Sequence, residues 1–496
     1  MRSFRFILSL GFAVAALSAC AQDAPLPQAP SAVLAQYDAG KPAGSGKTFT
    51  APSTFVGPGN VKVERATTGP LSLSIDDAVS YGLERNLRLI SDRANQRIVK
   101  GDQLLVKNAI VPALSATAST NTQEINLAAM GFKPSLLVGI PGFPSNFATI
   151  VKVDVTQAQL NVNQTLFSLP DYELLRGAQA EFEVVNMNTL NGRGDLVLSV
   201  GTAYLKILAD QSNLANAQAL ERSAKTLFDQ ATAKRDAGVG TNLDALRGQV
   251  EYQNRLQQRV SAENALAKDT IQLNRIMGLP AEQQLLLTDT APFEQLADMD
   301  LDRAKATAYQ RRKDYLSLLA QLRVADRERL AVKYQRLPTL AFGGYYGVIG
   351  ETEGLYHGAF AATGSLKFPI FREAGQRGDT EVITAQLMAL HQREADLRVA
   401  IEAQIRANML DVNSSHELVK VAQSNVELAQ QELSDEQDRF AAGVDDNLPV
   451  VDAQASLAGA QAQLVQALYQ FNGAKLQLAR STGIVESQYR TYLGTN

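Results

Sequence analysis

The chain contains one short sequence twice: Ala-Gly-Val-Gly-Thr-Asn-Leu-Asp at residues 237–244 and Ala-Gly-Val-Asp-Asp-Asn-Leu at residues 442–448. The same offset of 205 residues continues without a gap, and it aligns Gln249 with Gln454 and Gly278 with Gly483. Upstream, Val-Pro-Ala-Leu at 111–114 resembles Leu-Pro-Thr-Leu at 337–340. Self-similarity over this length indicates an internal duplication, so we expect two copies of one structural unit.

Each copy begins with a helical period followed by two alternating stretches. The helical period covers residues 76–111, with a break near Asn86, and residues 302–337, and a proline ends each one. Alternation with a period of two predicts a strand, a loop and a returning strand. The predicted strands cover residues 114–127 and 148–167 in the first copy and 340–348 and 360–368 in the second.

A very long helical period comes next in each copy, over residues 171–237 and 375–441. At about 1.5 Å per residue such a helix spans on the order of 100 Å. Shorter helices return over 242–277 and 447–482, each closed by a glycine just past its end. Rods this long and this sparsely apolar cannot bury themselves as one globule, so we expect lateral packing into a cylinder of coiled coils.

Composition excludes several classes of protein. The 496 residues are 45% hydrophobic and 20% charged, which is typical of a folded chain, and the net charge of -4 offers no basic surface to nucleic acid. One cysteine and three histidines are too few for a disulfide framework or a structural metal site. No phosphate-binding glycine loop or nucleophile elbow is present, so we expect neither an enzyme nor a cofactor. Past the N-terminus no apolar run reaches the 18 or so residues of a membrane helix, which excludes a bundle of transmembrane helices.

The N-terminus has the features of an export signal. Arg2 and Arg5 precede an apolar stretch, and Leu-Ser-Ala-Cys at residues 17–20 resembles a bacterial lipobox. The resemblance implies cleavage after a signal peptide of residues 1–19 and lipid attachment at Cys20, the only cysteine. Ala21 then implies sorting to the outer membrane. The alternative is a plain signal peptide in which Cys20 is incidental. Residues 20–70, rich in Pro, Ala, Gly and Ser, predict an irregular tether.

The predicted strands are too few to close a membrane barrel. A sheet in hydrocarbon must close, and bacterial barrels begin at about eight strands, whereas this chain supplies four. We therefore expect transmembrane strands shared between subunits; two copies would give eight and three would give twelve. The alternative is a soluble sandwich. Candidates for the aromatic girdle at the membrane interface are Tyr345, Tyr346, Tyr356, Phe360 and Phe371.

The order helix, strand hairpin, long helix, glycine turn and helix, occurring twice behind a signal peptide, resembles the TolC-type outer membrane efflux protein family in its lipoprotein branch. The two repeated turns carry the resemblance, together with Phe-Arg-Glu-Ala-Gly-Gln-Arg-Gly at residues 371–378. It covers residues 71–485 and divides the chain into a first efflux repeat, 71–285, and a second, 286–496. The predicted fold class is mainly α with a small β part.

The resemblance implies a homotrimer with a twelve-stranded barrel in the outer membrane and a helical tunnel extending into the periplasm. It further implies a passive channel of a tripartite efflux or type I secretion system. Such a channel meets a periplasmic adaptor protein and receives cargo from an inner-membrane pump. The alternative function is a lipid-anchored periplasmic coiled-coil scaffold or adaptor. The sequence names neither the exported cargo nor the role of the apolar loop at residues 130–147.

The resemblance assigns adaptor docking to the two repeated turns, which we call the tip turns. Their glycines permit a tight turn and a close approach by adaptor helices, while valine and leucine offer apolar contacts. The alternative is that these are turn residues and nothing more. The predicted docking residues are Gly238, Val239, Gly240, Thr241, Asn242, Leu243, Gly443, Val444, Asp445, Asp446, Asn447 and Leu448.

The resemblance also implies a periplasmic gate or latch at Asp244, Phe440 and Asp452. In the family an acid at the position of Asp244 pairs across the tip, and an acid at the position of Asp452 belongs to an inward-facing ring. The chain departs from the family pattern at Pro449, where a second ring acid is common, and at Asp445, where a latching arginine can occur. Phe440 takes a place where a tyrosine can bridge the tips. For Asp244 the alternative is simple stabilisation of a helix N-terminus.

Overall fold

The structure, a computed structural model, describes residues 69–131, 148–290, 292–294, 296, 299–351, 354–442, 444 and 448–493. The predicted signal peptide, Cys20 and the tether up to residue 68 lie outside the described residues, as does most of the loop at 130–147.

The elements follow the predicted order twice. The first copy has β1 (Leu71–Leu73), α1 (Ile75–Arg85), α2 (Leu87–Lys107), β2 (Ala113–Asn126), β3 (Ile150–Phe167), α3 (Leu169–Asp236) and α4 (Asn242–Met277). The second has β4 (Leu285–Leu287), α5 (Leu301–Arg311), α6 (Lys313–Tyr334), β5 (Thr339–Glu351), β6 (Tyr356–Lys367), α7 (Glu373–Ala441), α8 (Leu448–Ser481) and α9 (Val485–Leu493).

Contacts divide the described chain into two compact units. The β unit comprises the described residues of Gln103–Ala178 and Arg327–Ile383, and the helical unit those of Thr50–Asp102, Gln179–Asp326 and Thr384–Asn496. Each unit contains segments of both predicted repeats. The division into compact units therefore does not follow the repeat boundaries, and the repeats 71–285 and 286–496 remain predictions.

The β unit contains one antiparallel sheet in the order β2-β3-β5-β6. Its first-repeat strands meet its second-repeat strands through β3 and β5, where Gln159 pairs with Gly347. At the outer pairings Ser119 faces Gln157, and Tyr346 faces Phe360. β2 and β6 are the two edges, and within the described residues each pairs along one side only.

The alternation of strand residues gives this sheet two different faces. Leu114, Leu160, Tyr346 and Phe360 lie on one face, which is mostly apolar, and Tyr346 and Phe360 are 70% and 76% exposed. Tyr345 lies on the opposite, polar face because neighbouring strand residues point to opposite sides. The prediction that Tyr345 joins Tyr346 and Phe360 in one aromatic girdle is therefore wrong.

The first helical period is broken where the sequence predicts, at Asn86. The Asn86 backbone is extended, and its carboxamide accepts from the amide of Arg88 at 3.0 Å and donates to the carbonyl of Ile276 at 2.9 Å. The second copy was expected to form one helix over 302–337, but it breaks at Arg312. Both breaks face a helix-ending glycine: Gly278 (φ 73°) packs on Arg85 and Gly483 (φ 78°) packs on the backbone of Arg312.

The sequence analysis missed two short strands, β1 and β4, which pair with each other in the core of the helical unit. β1 pairs in parallel with β4, and Asp289, just beyond β4, accepts from the amide of Ile75 at 2.8 Å. The buried hydroxyl of Tyr204 lies 2.9 Å from both the Leu73 carbonyl and the Asp289 carboxylate. These bonds join the start of the first repeat to the connection between the repeats.

The sequence analysis also missed the helix α9, which buries Tyr489 and Leu493.

Lys475 lies wholly inside this core, on α8. Its ammonium donates to the main-chain carbonyl of Glu294 at 3.2 Å and lies 4.5 Å from the centroid of the Phe471 ring. The ring of His416 stacks against Phe293 beside it. Burial disfavours the charged ammonium and lowers the pKa of Lys475 to about 8.

We expect the stability of the protein to rise with pH between the folded pKa of about 8 and the ordinary lysine value near 10.5. In that window the unfolded chain binds the lysine proton more tightly than the folded chain does, so raising the pH favours folding. The contribution is about 1.5 kcal/mol between pH 8 and 9.5. Urea unfolding of the purified protein and of Lys475→Met across this range measures it, and the variant should lack this increment. Equal slopes for both proteins would contradict the prediction.

Candidate functional site

The first tip turn is a tight connection between α3 and α4. The amides of Val239 and Gly240 both donate to the carbonyl of Lys234 at 2.9 Å, and Gly238 adopts the left-handed conformation at φ 75°. A side chain at Gly240 would lie 2.8 Å from Cβ of Lys234, so this position requires glycine. The turn leaves the Val239 side chain 79% exposed.

A hydrogen-bonded cap begins α4 on the other side of the turn. Thr241 accepts from the amide of Asp244 at 3.1 Å, and its hydroxyl donates to the Asp244 carboxylate at 2.6 Å. Asn242 is exposed on the first helical position, and Leu243 is 55% exposed. Asp244 therefore stabilises the N-terminus of α4. Its assignment to a periplasmic gate or latch stays a prediction.

The second tip turn is described only in part. The amide of Val444 donates to the carbonyl of Arg439 at 3.1 Å, and α8 begins at Leu448. Val444 and Leu448 are 68% and 42% exposed. The predicted docking residues Gly443, Asp445, Asp446 and Asn447 lie outside the described residues.

A lysine that the sequence analysis missed joins the ends of the two long helices. The Lys234 ammonium on α3 lies 3.8 Å from the centroid of the Phe440 ring on α7 and donates to the Phe440 carbonyl at 3.2 Å. Phe440 is buried against α8, in a cluster with Leu433 and Val450. The structure thus brings Phe440, a predicted gate residue, into contact with the first helical hairpin through a cation–π interaction.

The two predicted gate acids stand in different surroundings. Asp244 is half-buried in the first turn of α4, whereas Asp452 is exposed on the second turn of α8. No ion pair to Asp452 is present in the described part of the chain. An exposed, uncompensated carboxylate at this position is available to face water or a cation.

Between α4 and α8, close to the turns, lies an apolar groove of about 370 Å³. We call it the tip groove. Its α4 wall is Leu243, Leu246 and Val250, and its α8 wall is Leu448 and Val451; Arg247 and Glu251 also border it. The sequence analysis named Leu243 and Leu448 and missed Leu246, Val250 and Val451. The spacing of 243, 246 and 250 on one helical face was the signal for Leu246 and Val250.

Close contacts with α3 hold the helices on either side of this groove. Gly248 lets α4 approach α3 so closely that an added Cβ would lie 3.0 Å from Cα of Phe228, and the rings of Phe228 and Tyr252 stack in parallel. Gln454 donates to the hydroxyl of Ser223 at 2.9 Å, joining α8 to α3. The groove is therefore formed by helices that pack closely on α3.

Neither a metal site nor a membrane helix is found in the described residues. No group of three or more His, Cys, Asp or Glu side chains among them is arranged to hold a metal ion. None of their helices is both long and apolar enough to cross a bilayer.

A family model for outer membrane efflux proteins matches this sequence twice, over residues 80–279 and 300–484. The chain belongs to the outer membrane efflux protein family. Each match lies within one of the two predicted repeats. Membership confirms the predicted family and the predicted channel function in the outer membrane, and this family consists of channel proteins.

Individual relatives agree with the family assignment. The sequence is 24% identical over 350 residues to outer membrane protein TolC of Vibrio cholerae, which covers 68% of this chain and 78% of that protein. It is 24% identical to the alkaline protease secretion protein AprF of Pseudomonas aeruginosa, over 66% of this chain and 69% of that protein. The fold is similar to the crystal structure of the CmeC outer membrane channel of Campylobacter jejuni. That comparison has a TM-score of 0.72 at 12% identity and covers 85% of this chain and 89% of the other. The predicted fold class, mainly α with a small β part, is confirmed.

We expect Lys234→Met to loosen the contact between α3 and α7, because methionine keeps the stem and removes the cation. A cation–π contact and a charged hydrogen bond together contribute about 1 to 2 kcal/mol. Amide hydrogen exchange in residues 436–442 should therefore become about fivefold faster or more. Arg235→Met is the matched control, since Arg235 pairs with its exposed neighbour Asp236 instead. Equal exchange in both variants would show that Lys234 does not hold the two ends together.

Proposed function

We propose that this chain is the outer membrane channel of a tripartite efflux or type I secretion system and acts as a homotrimer. The observation that carries this proposal is the four-stranded sheet, which has one apolar face and, as far as the structure describes the chain, two edges without a neighbouring strand. An edge in hydrocarbon leaves main-chain amides and carbonyls without partners, at a cost of several kcal/mol for each group. Joining β6 of one copy to β2 of the next satisfies them, and three copies give twelve strands.

The dimensions of the sheet support a membrane position. β5 has 13 residues, which at about 3.3 Å per residue and a tilt of about 40° span about 33 Å along the membrane normal. The apolar face extends from the row of Leu340 and Leu366 to the row of Gly350 and Tyr356. The charged pair Glu124 and Lys152 lies farther toward the β2–β3 loop. The span of about 33 Å is close to the thickness of a bilayer's hydrocarbon core.

The long helix α7 supports self-association of the helical unit. Met388, Val399, Leu410 and Val421 are 64%, 70%, 70% and 58% exposed, and they recur every 11 residues. A period of 11 residues is 3.67 residues per turn, which keeps an apolar stripe nearly parallel to the helix axis with a slight right-handed drift. Nearly straight helices pack side by side into a cylinder, so a second copy of the chain is the natural cover for this stripe.

The tip groove is the surface that we assign to the periplasmic adaptor. Its walls are leucine and valine with Arg247 and Glu251 at the border, a combination that suits the apolar side of an amphipathic helix with charged flanks. Val239 and Val444 extend the exposed apolar surface onto the turns themselves. Cargo would then come from an inner-membrane pump held to the channel through that adaptor.

The gate is assigned to the ends of the long helices. Lys234 and Phe440 tie the two hairpins of one chain together, and Asp452 on three chains would form an acidic ring. Such a ring favours cations at the constriction. The lipobox at residues 17–20 supports a lipid anchor at Cys20 that adds outer membrane attachment to that of the strands.

Trimer formation and conduction test the proposal directly. Detergent-extracted protein should have the mass of three chains by light scattering, and of one chain after thermal unfolding. Inserted into planar bilayers it should conduct ions, because three sheets would enclose a water-filled lumen. A folded monomer that conducts nothing would overturn the proposal.

We expect Leu246→Arg to weaken adaptor binding, because an arginine in the tip groove would have to lose water against leucine and valine. A loss of about tenfold in affinity or more corresponds to a buried contact of about 1.4 kcal/mol. Chemical crosslinking to the adaptor and export in cells measure it. Val260→Arg is the matched control: Val260 lies on the same helix and is 52% exposed against 50% for Leu246, but it does not line the groove. Equal losses in the two variants would place docking elsewhere.

A further inference from the structure

The polar face of the β sheet carries a row of carboxamide side chains along β3. Gln157, Gln159, Asn161 and Asn163 alternate along the strand and share this face. Gln159 donates to Gln157 at 3.1 Å. We call these four residues the amide ladder.

Hydroxyl groups on the neighbouring strand extend the ladder sideways. Gln157 donates to the hydroxyl of Ser119 at 3.0 Å, and Asn161 donates to that of Thr117 at 2.9 Å. These bonds hold the carboxamides against the sheet and leave part of each donor and acceptor set for another molecule, since a carboxamide has two N–H groups and two acceptor positions.

Glycines on the other neighbouring strand make room for the ladder. Gly347 pairs with Gln159, and a Cβ there would lie 2.9 Å from Cγ of Gln159. Gly343 pairs with Asn163, and a Cβ there would lie 3.1 Å from the Asn163 carboxamide oxygen. Between them Tyr345 pairs with Asn161 and places an aromatic ring on the same face. The sheet therefore accommodates the amides by omitting side chains beside them.

No charged side chain of the described residues lies on the polar face between the strand ends. In the described residues of the sheet, Glu124, Lys152 and Asp154 lie on the opposite face. Glu351 and Lys367 share the face of the ladder, but each is the last residue of its strand. Between the strand ends this face presents amides, hydroxyls, Tyr345 and His357 among alanine, valine and isoleucine side chains. It therefore offers hydrogen bonds in both directions without a carboxylate, lysine or arginine.

A cavity of about 310 Å³ lies at the end of the ladder. Asn163 and Gly343 line it together with the hydroxyls of Thr363 and Ser365, and Asn108 contributes a second carboxamide. This volume admits a single hexose ring, and its side-chain polar groups are uncharged.

We propose that the amide ladder and this cavity form a binding surface for neutral, hydroxyl-rich cargo, namely the sugar units of an uncharged glycan. The inference rests on the proposed function, because a closed barrel is what turns this face toward the lumen. A sugar hydroxyl both donates and accepts, as a carboxamide does, and Tyr345 offers a ring face to the C–H side of a sugar. A charged cargo would find no counter-charge on this wall between the strand ends and would stay hydrated in mid-lumen.

Current block in planar bilayers and calorimetry on the detergent-purified full chain test this proposal. The probes are maltohexaose, a cationic chitosan hexamer and an uncharged glycine–serine peptide of similar length. Maltohexaose should bind at least about tenfold more tightly than the other two. Gln159→Leu and Asn163→Leu should each weaken it about threefold to tenfold, the value of one hydrogen bond. Thr156→Val, on the opposite face, should leave it unchanged.

The experiment distinguishes failure of the proposed channel from failure of the proposed sugar site. Binding of maltohexaose in the calorimeter without any ion current would overturn the channel and leave the sugar site standing. An ion-conducting protein that binds all three probes equally, or whose affinity is unaffected by Gln159→Leu and Asn163→Leu, would overturn the sugar site alone. Preferential binding of the peptide would overturn it in favour of polypeptide cargo.

Discussion

Main-chain hydrogen bonding at the two edges of the four-stranded sheet is the constraint on which the rest of the molecule depends. In the described part of the chain, β2 and β6 each carry a row of main-chain amides and carbonyls with no strand beside it, and hydrocarbon would offer no water as a substitute partner. Among the described residues no further strand pairs with the outer side of β2 or of β6. In the proposed trimer, association with other copies satisfies these groups, and the proposed stoichiometry and lumen follow from that requirement.

The two repeats are equivalent in pattern but not independent in structure. β1, which precedes the first repeat's helices, pairs with β4 in the connection between the repeats. The Tyr204 hydroxyl hydrogen-bonds to both sides of this pair, at Leu73 and Asp289. In the same way β3 of one repeat pairs with β5 of the other. Each compact unit is therefore built from segments of both copies, and the main buried cluster of the helical unit contains residues from both repeats.

The periodic parts of the chain were predictable, since a period depends only on local geometry. The strands, the long helices and the break at Asn86 were all found this way, and the helix-ending glycines at 278 and 483 have the expected left-handed backbone. The break at Arg312 was not predicted; it lies beside the backbone of Gly483, which comes from a distant part of the chain. Lys234 was missed for a similar reason: its partner Phe440 is more than 200 positions away.

The sequence by itself determined the family, the duplicated order of elements, the four strands and the positions of the tip turns. These are set by hydrophobic period, glycine spacing and short repeated sequences, all of which are local. Only the tertiary structure decided which residues share a face or a groove. It places Tyr345 and Tyr346 on opposite faces of the sheet and Gln159 beside Gly347, and it brings Leu246 and Val451 together in the tip groove. Strand register and helix packing set these neighbours, and both depend on contacts between segments far apart in the chain.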